Sequence, residues 1–213
     1  MIILMQFLIK YILFEKFELV VALDPIHFGL LNFSTICVAI AGYIINDIYD
    51  VKADIINKPD KLFVDKKITR IRAHYLFLGF NSAGLIIGMY LSYHVGHTSY
   101  FIIYVLTSLL LYQYAKYLKK VLWVGNLIVS LSVFLSILLV LVFDLFPVTS
   151  EYNFSTQVVV YRILLIYGAF SFVMTLVREI TKDCEDIKGD QAMEVKSIPI
   201  VYGLKKSKYL IVF

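Results

Sequence analysis

The sequence predicts an all-α polytopic membrane protein, a transmembrane helix bundle of about six spans and the start of a seventh. Composition, the length of the apolar runs and the placement of the basic residues each lead there. Of 213 residues, 60% are hydrophobic and 17% charged, and the mean hydropathy is +0.80. Ordinary soluble domains carry about 45–50% apolar and about 25% charged residues. A chain of this size needs a wetted polar surface and could not hide that excess in a soluble core. A soluble enzyme, a disordered chain and a disulfide-stapled module are thereby excluded. Cys37 and Cys184 offer neither a disulfide framework nor a zinc knuckle.

A bilayer core about 30 Å thick calls for about 20 mostly apolar residues per helix. Residues 27–45, 75–93, 99–114, 121–143 and 158–177 meet or approach that length. The opening stretch, 1–14, is apolar but short, and it contains Gln6 and Lys10. It lacks the basic leader and small-residue cleavage site of a signal peptide, and Lys10 is expected either to snorkel toward the membrane surface or to mark a span whose start is missing. Residues 209–213 read as the opening of a further span, so both ends read as incomplete.

Basic residues orient these spans. Of 20 Lys and Arg, seven lie in 46–74, three in 115–122 and seven in 178–208, whereas 24–26, 94–98 and 144–157 have none. Alternation of basic and neutral loops is the positive-inside pattern, which places the three basic segments in the cytoplasm. Trp123 and the group Tyr112, Tyr114 and Tyr117 sit where interfacial aromatic belts belong. The expected location is the cell inner membrane, with the acid-rich segments cytoplasmic.

Eleven of the 16 acidic residues fall in two of those basic segments. Asp47, Asp50 and Asp54 form one triplet, and Asp183, Asp186 and Asp190 repeat its spacing 136 residues later. Steps of three and four put each triplet on one face of a helix that continues out of an apolar span. Each Asp at mid-bilayer costs about 2.5–3.5 kcal/mol on insertion scales. Six facing lipid would exceed a typical domain stability of about 5–15 kcal/mol. The stripes must therefore face water or a cavity, where their mutual repulsion calls for a cation. All-oxygen ligands select Mg²⁺ or Ca²⁺. Mg²⁺ in particular binds through one or two carboxylates plus substrate phosphates, which suits a diphosphate held between two triplets. An EF-hand is excluded, because neither segment has the alternating acids, glycine and distal Glu of that loop.

At these residues the chain resembles the UbiA-type superfamily of intramembrane prenyltransferases. The family's first motif, N-D-x-x-D-x-x-x-D, is met by Asn46, Asp47, Asp50 and Asp54, and its second is similar to Asp183, Asp186 and Asp190. A basic pair followed by Gly-Asn after the fourth helix is similar to Lys119, Lys120, Gly125 and Asn126. The resemblance covers essentially the whole chain, as one domain over 1–213. It implies a nine-helix fold around a laterally open chamber, of which this chain supplies a part. It also implies Mg²⁺ as cofactor, and transfer of a polyprenyl group from its diphosphate to a lipid or aromatic acceptor. Transfer in that family runs through an allylic cation with release of pyrophosphate. By the same resemblance Asp47, Asp50 and Asp54 would hold one Mg²⁺, and Asp183, Asp186 and Asp190 another. Asp47, Asp50, Asp183 and Asp186 are the catalytic candidates, and Asn46, Lys119, Asn126, Arg178 and Lys182 the candidates for the diphosphate. Lys120 is the alternative to Lys119.

Substrates and membrane lipids are the partners implied, with no nucleic acid. The stretch 42–61, containing Ile56-Asn57-Lys58-Pro59-Asp60-Lys61, is most similar to the branch that adds geranylgeranyl to geranylgeranylglyceryl phosphate. Many family members read N-R-P-x-R-P-L-x-x-G here; Asn57-Lys58-Pro59 keeps the start, and the later Pro and Gly are absent. Quinone-pathway acceptors such as 4-hydroxybenzoate or dihydroxynaphthoate are the alternative. A CDP-alcohol phosphotransferase would need D-x-x-D-G-x-x-A-R, but Val51 follows Asp50. A cation transporter with cytoplasmic acidic sites would carry acids inside broken mid-membrane helices, and the spans as read hold no internal acid.

Overall fold

The computed structural model describes residues 2–212. Met1 and Phe213, the outermost residues of the two terminal apolar stretches, lie outside them. The described residues are mostly helical, with one isolated bridge between Val64 and Ile68 and no named strand among them. In chain order the helices are α1 (Ile2–Leu8), α2 (Pro25–Asn57), α3 (Arg70–His94), α4 (Phe101–Lys116), α5 (Val124–Val140), α6 (Phe154–Glu185), α7 (Ile187–Ala192), α8 (Ile198–Tyr202) and α9 (Leu204–Val212). Wider π-helical turns extend α1 to Phe14 and α5 to Leu145. Four stretches are long and apolar enough to cross a membrane: Pro25–Asn57, Arg70–His94, Val124–Val148 and Phe154–Glu185. At 16 residues α4 falls short of that length, and Ile2–Phe14 is shorter still.

Helix α2 is the axis of the bundle and packs against α3, α4 and α7, while α5 lies along α6. It begins where Asp24 accepts hydrogen bonds from the N–H groups of Ile26 (2.8 Å) and His27 (2.9 Å), with Pro25 in the first turn. An acidic cap and an N-terminal proline are the standard start signals. The helix stops at Lys58, because Pro59 disfavours helical geometry in the residue before it. Its 33 residues rise about 50 Å, which exceeds a hydrocarbon core of about 30 Å. The excess carries the first aspartate triplet beyond the apolar run.

Two apolar clusters hold the bundle. One joins Phe14, Phe28, Leu31, Tyr104, Phe143 and Val160 at the end away from the triplets; the other joins Ile45, Ile48, Val51, Ala73 and Ala115 near them.

The structure corrects two expectations at the far end. Lys10 does not snorkel: it is 5% exposed and its ammonium bonds to Asp144 Oδ2 at 2.8 Å and to the Leu23 carbonyl at 2.6 Å. Asp144 in turn accepts the Leu23 N–H at 2.8 Å. The apolar stretch Val124–Val148 therefore does contain an acid. Both charges are retained because each has a charged partner and further hydrogen bonds, the condition under which a buried pair is tolerated.

Candidate active site

The last turns of α2 carry Asn46, Asp47, Asp50 and Asp54 in one continuous helix, as the spacing predicts. Asn46 Nδ2 donates to Asp50 Oδ2 at 2.6 Å, and Lys119 Nζ pairs with Asp50 Oδ1. Lys119 sits in the tight turn Leu118–Lys120 between α4 and α5 with its side chain only 12% exposed. Of the two lysines, then, Lys119 makes the carboxylate pair. The Lys120 carbonyl accepts the Lys196 N–H at 3.1 Å. Gly125 explains how the turn closes: a Cβ there would stand 3.1 Å from Lys119 Cα. One residue further, Asn126 Nδ2 donates to Asp183 Oδ2 at 2.8 Å.

The second triplet differs from the expectation of a single helical stripe. Asp183 lies on α6, Asp186 stands at the break after Glu185, and Asp190 lies on α7. Asn57, at the end of α2, stabilises the break. Its Nδ2 donates to the Asp186 carbonyl at 3.0 Å, and its Oδ1 accepts the Gly189 N–H at 2.8 Å. The amide thus partners backbone groups across the break: it supplies the Gly189 N–H with an acceptor and adds a second donor to the Asp186 carbonyl, which also accepts the Asp190 N–H at 3.1 Å. Close approach requires glycine at 189, since a Cβ would fall 2.2 Å from Asn57 Nδ2 and 2.8 Å from the Ala53 carbonyl. Lys58 adds an ion pair to Asp186, 2.7 Å from Oδ1 and 2.9 Å from Oδ2. Its aim suits a hydrogen bond to Oδ2 alone, so buried Oδ1 keeps an open lone pair.

Two adjoining cavities meet here. The polar one, about 160 Å³, is lined by all six aspartates together with Asn46, Asn57, Lys58, Lys119, Asn126 and Lys182. The apolar one, about 210 Å³, is lined by Val38, Gly42, Tyr43, Tyr104, Leu111 and Val133 among others. Asn46, Tyr114, Glu179 and Lys182 border both. Tyr114 is therefore a wall residue between the cavities rather than solely an interfacial anchor.

Arg178 lies apart from the other diphosphate candidates. It lines the apolar cavity and not the polar one, is 73% exposed, and donates to Glu179 Oε1 at 2.6 Å. Asn57, Lys58 and Glu179 are the site residues that sequence reasoning did not nominate. The Asn-Lys-Pro after the first motif was a visible signal for two of them. Glu179 stands four residues before Asp183, on the same helical face.

Burial pushes the Asp190 carboxyl up to about 6, with repulsion from Asp186 and Asp50 acting in the same direction. Among the described residues no three acidic, His or Cys side chains converge into a cage for a bare ion. The donor set nevertheless fits a hard divalent cation. It is all oxygen, Asp186 Oδ1 has an unused lone pair, and Mg²⁺ takes one or two carboxylates when phosphates supply the remaining ligands.

Long apolar helices mark a multi-pass integral membrane protein, here with a polar and an apolar cavity side by side. Residues 20–213 match the UbiA prenyltransferase family, and the chain belongs to that family. It is 36% identical over 181 residues to digeranylgeranylglyceryl phosphate synthase of Methanosphaera stadtmanae, covering 84% of this chain and 60% of that protein. The enzyme of the same name from Sulfurisphaera tokodaii is 36% identical, over 81% of this chain and 56% of its own length. A solved structure described as concerning digeranylgeranylglyceryl phosphate synthase in membranes superposes with a TM-score of 0.56 at 31% identity. It covers 90% of this chain and 61% of that one. The chain thus spans little more than half the length of the curated relatives it matches.

Proposed function

We propose that this protein transfers a geranylgeranyl group from its diphosphate to geranylgeranylglyceryl phosphate, with release of pyrophosphate, as a single membrane domain. The observation that carries this reading is the junction of the two cavities. An amphiphile with an anionic head and an isoprenoid tail has one cavity for each part, and the border between them falls where the head joins the tail. The names of the relatives favour the glyceryl phosphate acceptor over a quinone precursor.

On this reading Asp47, Asp50, Asp54, Asp183, Asp186 and Asp190 hold Mg²⁺ together with the diphosphate. Bound Mg²⁺ would neutralise charge on the departing pyrophosphate. Lys119, Lys182 and Lys58 add fixed positive charge where negative charge develops, which lowers the barrier without reorganisation. Asn46 and Asn126 orient Asp50 and Asp183 through their amide hydrogen bonds. Arg178, which lines the apolar cavity, serves the acceptor side on this reading rather than the diphosphate. Ring faces of Tyr43, Tyr104 and Tyr114 can steady an allylic cation in the apolar cavity. The basic segments, and with them the site, face the cytoplasm of the inner membrane.

The test incubates the protein in membranes with Mg²⁺ and labelled geranylgeranyl diphosphate, offering geranylgeranylglyceryl phosphate and 4-hydroxybenzoate in parallel. A labelled ether lipid that disappears with EDTA is the expected result. Labelled 4-hydroxybenzoate instead would move the reading to a quinone pathway, and no product with either acceptor would overturn it.

A further inference from the structure

Glu179 belongs to neither aspartate triplet. It is 6% exposed on α6, and among the described residues its hydrogen-bond partner is Arg178. Adjacent residues on a helix point in different directions, so the Arg178 side chain bends back to reach it while staying 73% exposed. Burying a carboxylate beside an apolar cavity is expensive, and one solvent-washed partner offsets only part of that expense. Packing alone favours an uncharged residue at this position.

Its location indicates a use. Among the described residues, four border both cavities: Asn46, Tyr114, Glu179 and Lys182. On the prenyl-transfer reading, on which this inference rests, the reacting carbon of the prenyl diphosphate lies at that border. The acceptor's hydroxyl must approach from the apolar side, because the diphosphate departs into the polar cavity. Lys182 is a cation, Asn46 is an amide already bonded to Asp50, and a tyrosine phenol such as that of Tyr114 holds its own proton at neutral pH. Asp50, Asp183 and Asp186 are engaged by Lys119, Asn126 and Lys58. Glu179 is the bordering side chain with a lone pair to offer.

We propose that Glu179 takes the proton from the attacking hydroxyl of the acceptor. The bond between the prenyl carbon and the diphosphate oxygen breaks, and its electron pair leaves with pyrophosphate. A lone pair of the acceptor oxygen forms the new carbon–oxygen bond, and the hydroxyl proton passes to the Glu179 carboxylate.

The test separates ionisation from capture. The protein in membranes receives Mg²⁺, labelled geranylgeranyl diphosphate and geranylgeranylglyceryl phosphate, and both ether lipid and total pyrophosphate are measured. Glu179→Gln is expected to cut ether formation about 100-fold or more, the usual weight of a general base. Pyrophosphate release, with water taking the prenyl group, should stay within about threefold of the parent by the same reasoning. An acceptor analogue with a thiol in place of the hydroxyl, supplied as thiolate at alkaline pH, should restore transfer. Wild-type ether formation in Glu179→Gln, a parallel fall of both products, or no rescue by the thiolate would overturn the assignment. If Glu179→Gln does not accumulate, Glu179→Asp replaces it: ether formation should fall while pyrophosphate release holds, and a parallel fall again overturns it. A parent protein that makes neither product refutes the prenyl-transfer reading itself. An active parent with an indifferent Glu179→Gln refutes this inference alone.

Discussion

Asp50 and Asp186 each pair with a lysine in the wall of the polar cavity, so converting either to Asn removes a proposed metal ligand and leaves an ammonium without its anion. Asp50→Asn and Asp186→Asn should each lower Mg²⁺-dependent turnover by about 100-fold or more, as expected when transition-state charge loses its counterion. Membrane insertion, read by fractionation, should be unchanged; equal loss of protein in both variants would point to a structural role instead. Asn57 makes a different prediction, because its amide serves the backbone on both sides of the break. Asn57→Ala strands the Gly189 N–H and leaves the Asp186 carbonyl with the Asp190 N–H as its donor. It should destabilise the protein by about 1–3 kcal/mol, the usual consequence of an unsatisfied buried group. A thermal melt in detergent checks this, and an unchanged Tm would show that water takes over both bonds.

Among the helices, the pair Lys10–Asp144 ties the N-terminal segment to the far end of α5, 134 residues away in sequence. Removing one partner leaves the other charged and buried, which typically costs about 3–5 kcal/mol. Lys10→Met should therefore lower the melting temperature sharply. Lys10→Met combined with Asp144→Leu should recover part of the loss, because an apolar pair of similar volume needs no counter-charge, while the Leu23 N–H and carbonyl still lose their partners. Additive losses in the double variant would show that the pair is not coupled. The sequence placed Lys10 in a short apolar stretch and Asp144 at the start of a neutral loop, and a lone charge near a span end ordinarily snorkels. Their pairing depends on how α1 returns across the bundle, which no local pattern encodes. The break in the second acidic segment was hidden for a similar reason. Its three aspartates keep helical spacing, and only the Asn57 clamp and the approach of α2 to Gly189 show where the helix ends.

For the molecule as a whole, six carboxylates around one cavity make its stability depend on cations and on pH. The Asp190 carboxyl is raised from 3.8 to about 6 in the metal-free protein. A carboxylate whose folded pKa is raised binds its proton more tightly in the folded state. The metal-free fold therefore loses stability as pH rises from about 4 to about 6, and regains it as pH falls. A bound divalent cation offsets that loss only where the carboxylates are ionised. EDTA should accordingly lower the Tm clearly at pH 7.5 and much less at pH 5, measured in one buffer series with and without Mg²⁺. An equal effect at both values would argue against a carboxylate-held cation.

The membrane class and the spacing of the two aspartate triplets were legible from residue order alone. Hydropathy, charge bias and helical spacing are local or additive properties, and they survive whatever the chain packs against. Which lysine reaches Asp50, where the second acidic helix breaks, and which side chains stand between the two cavities depend on contacts between helices far apart in sequence. Lys119 is 69 residues from Asp50, and Asn57 is 132 from Gly189. Such contacts arise from the packing of α2 against α4 and α7, a property of the assembled bundle that leaves no periodic trace in any one segment.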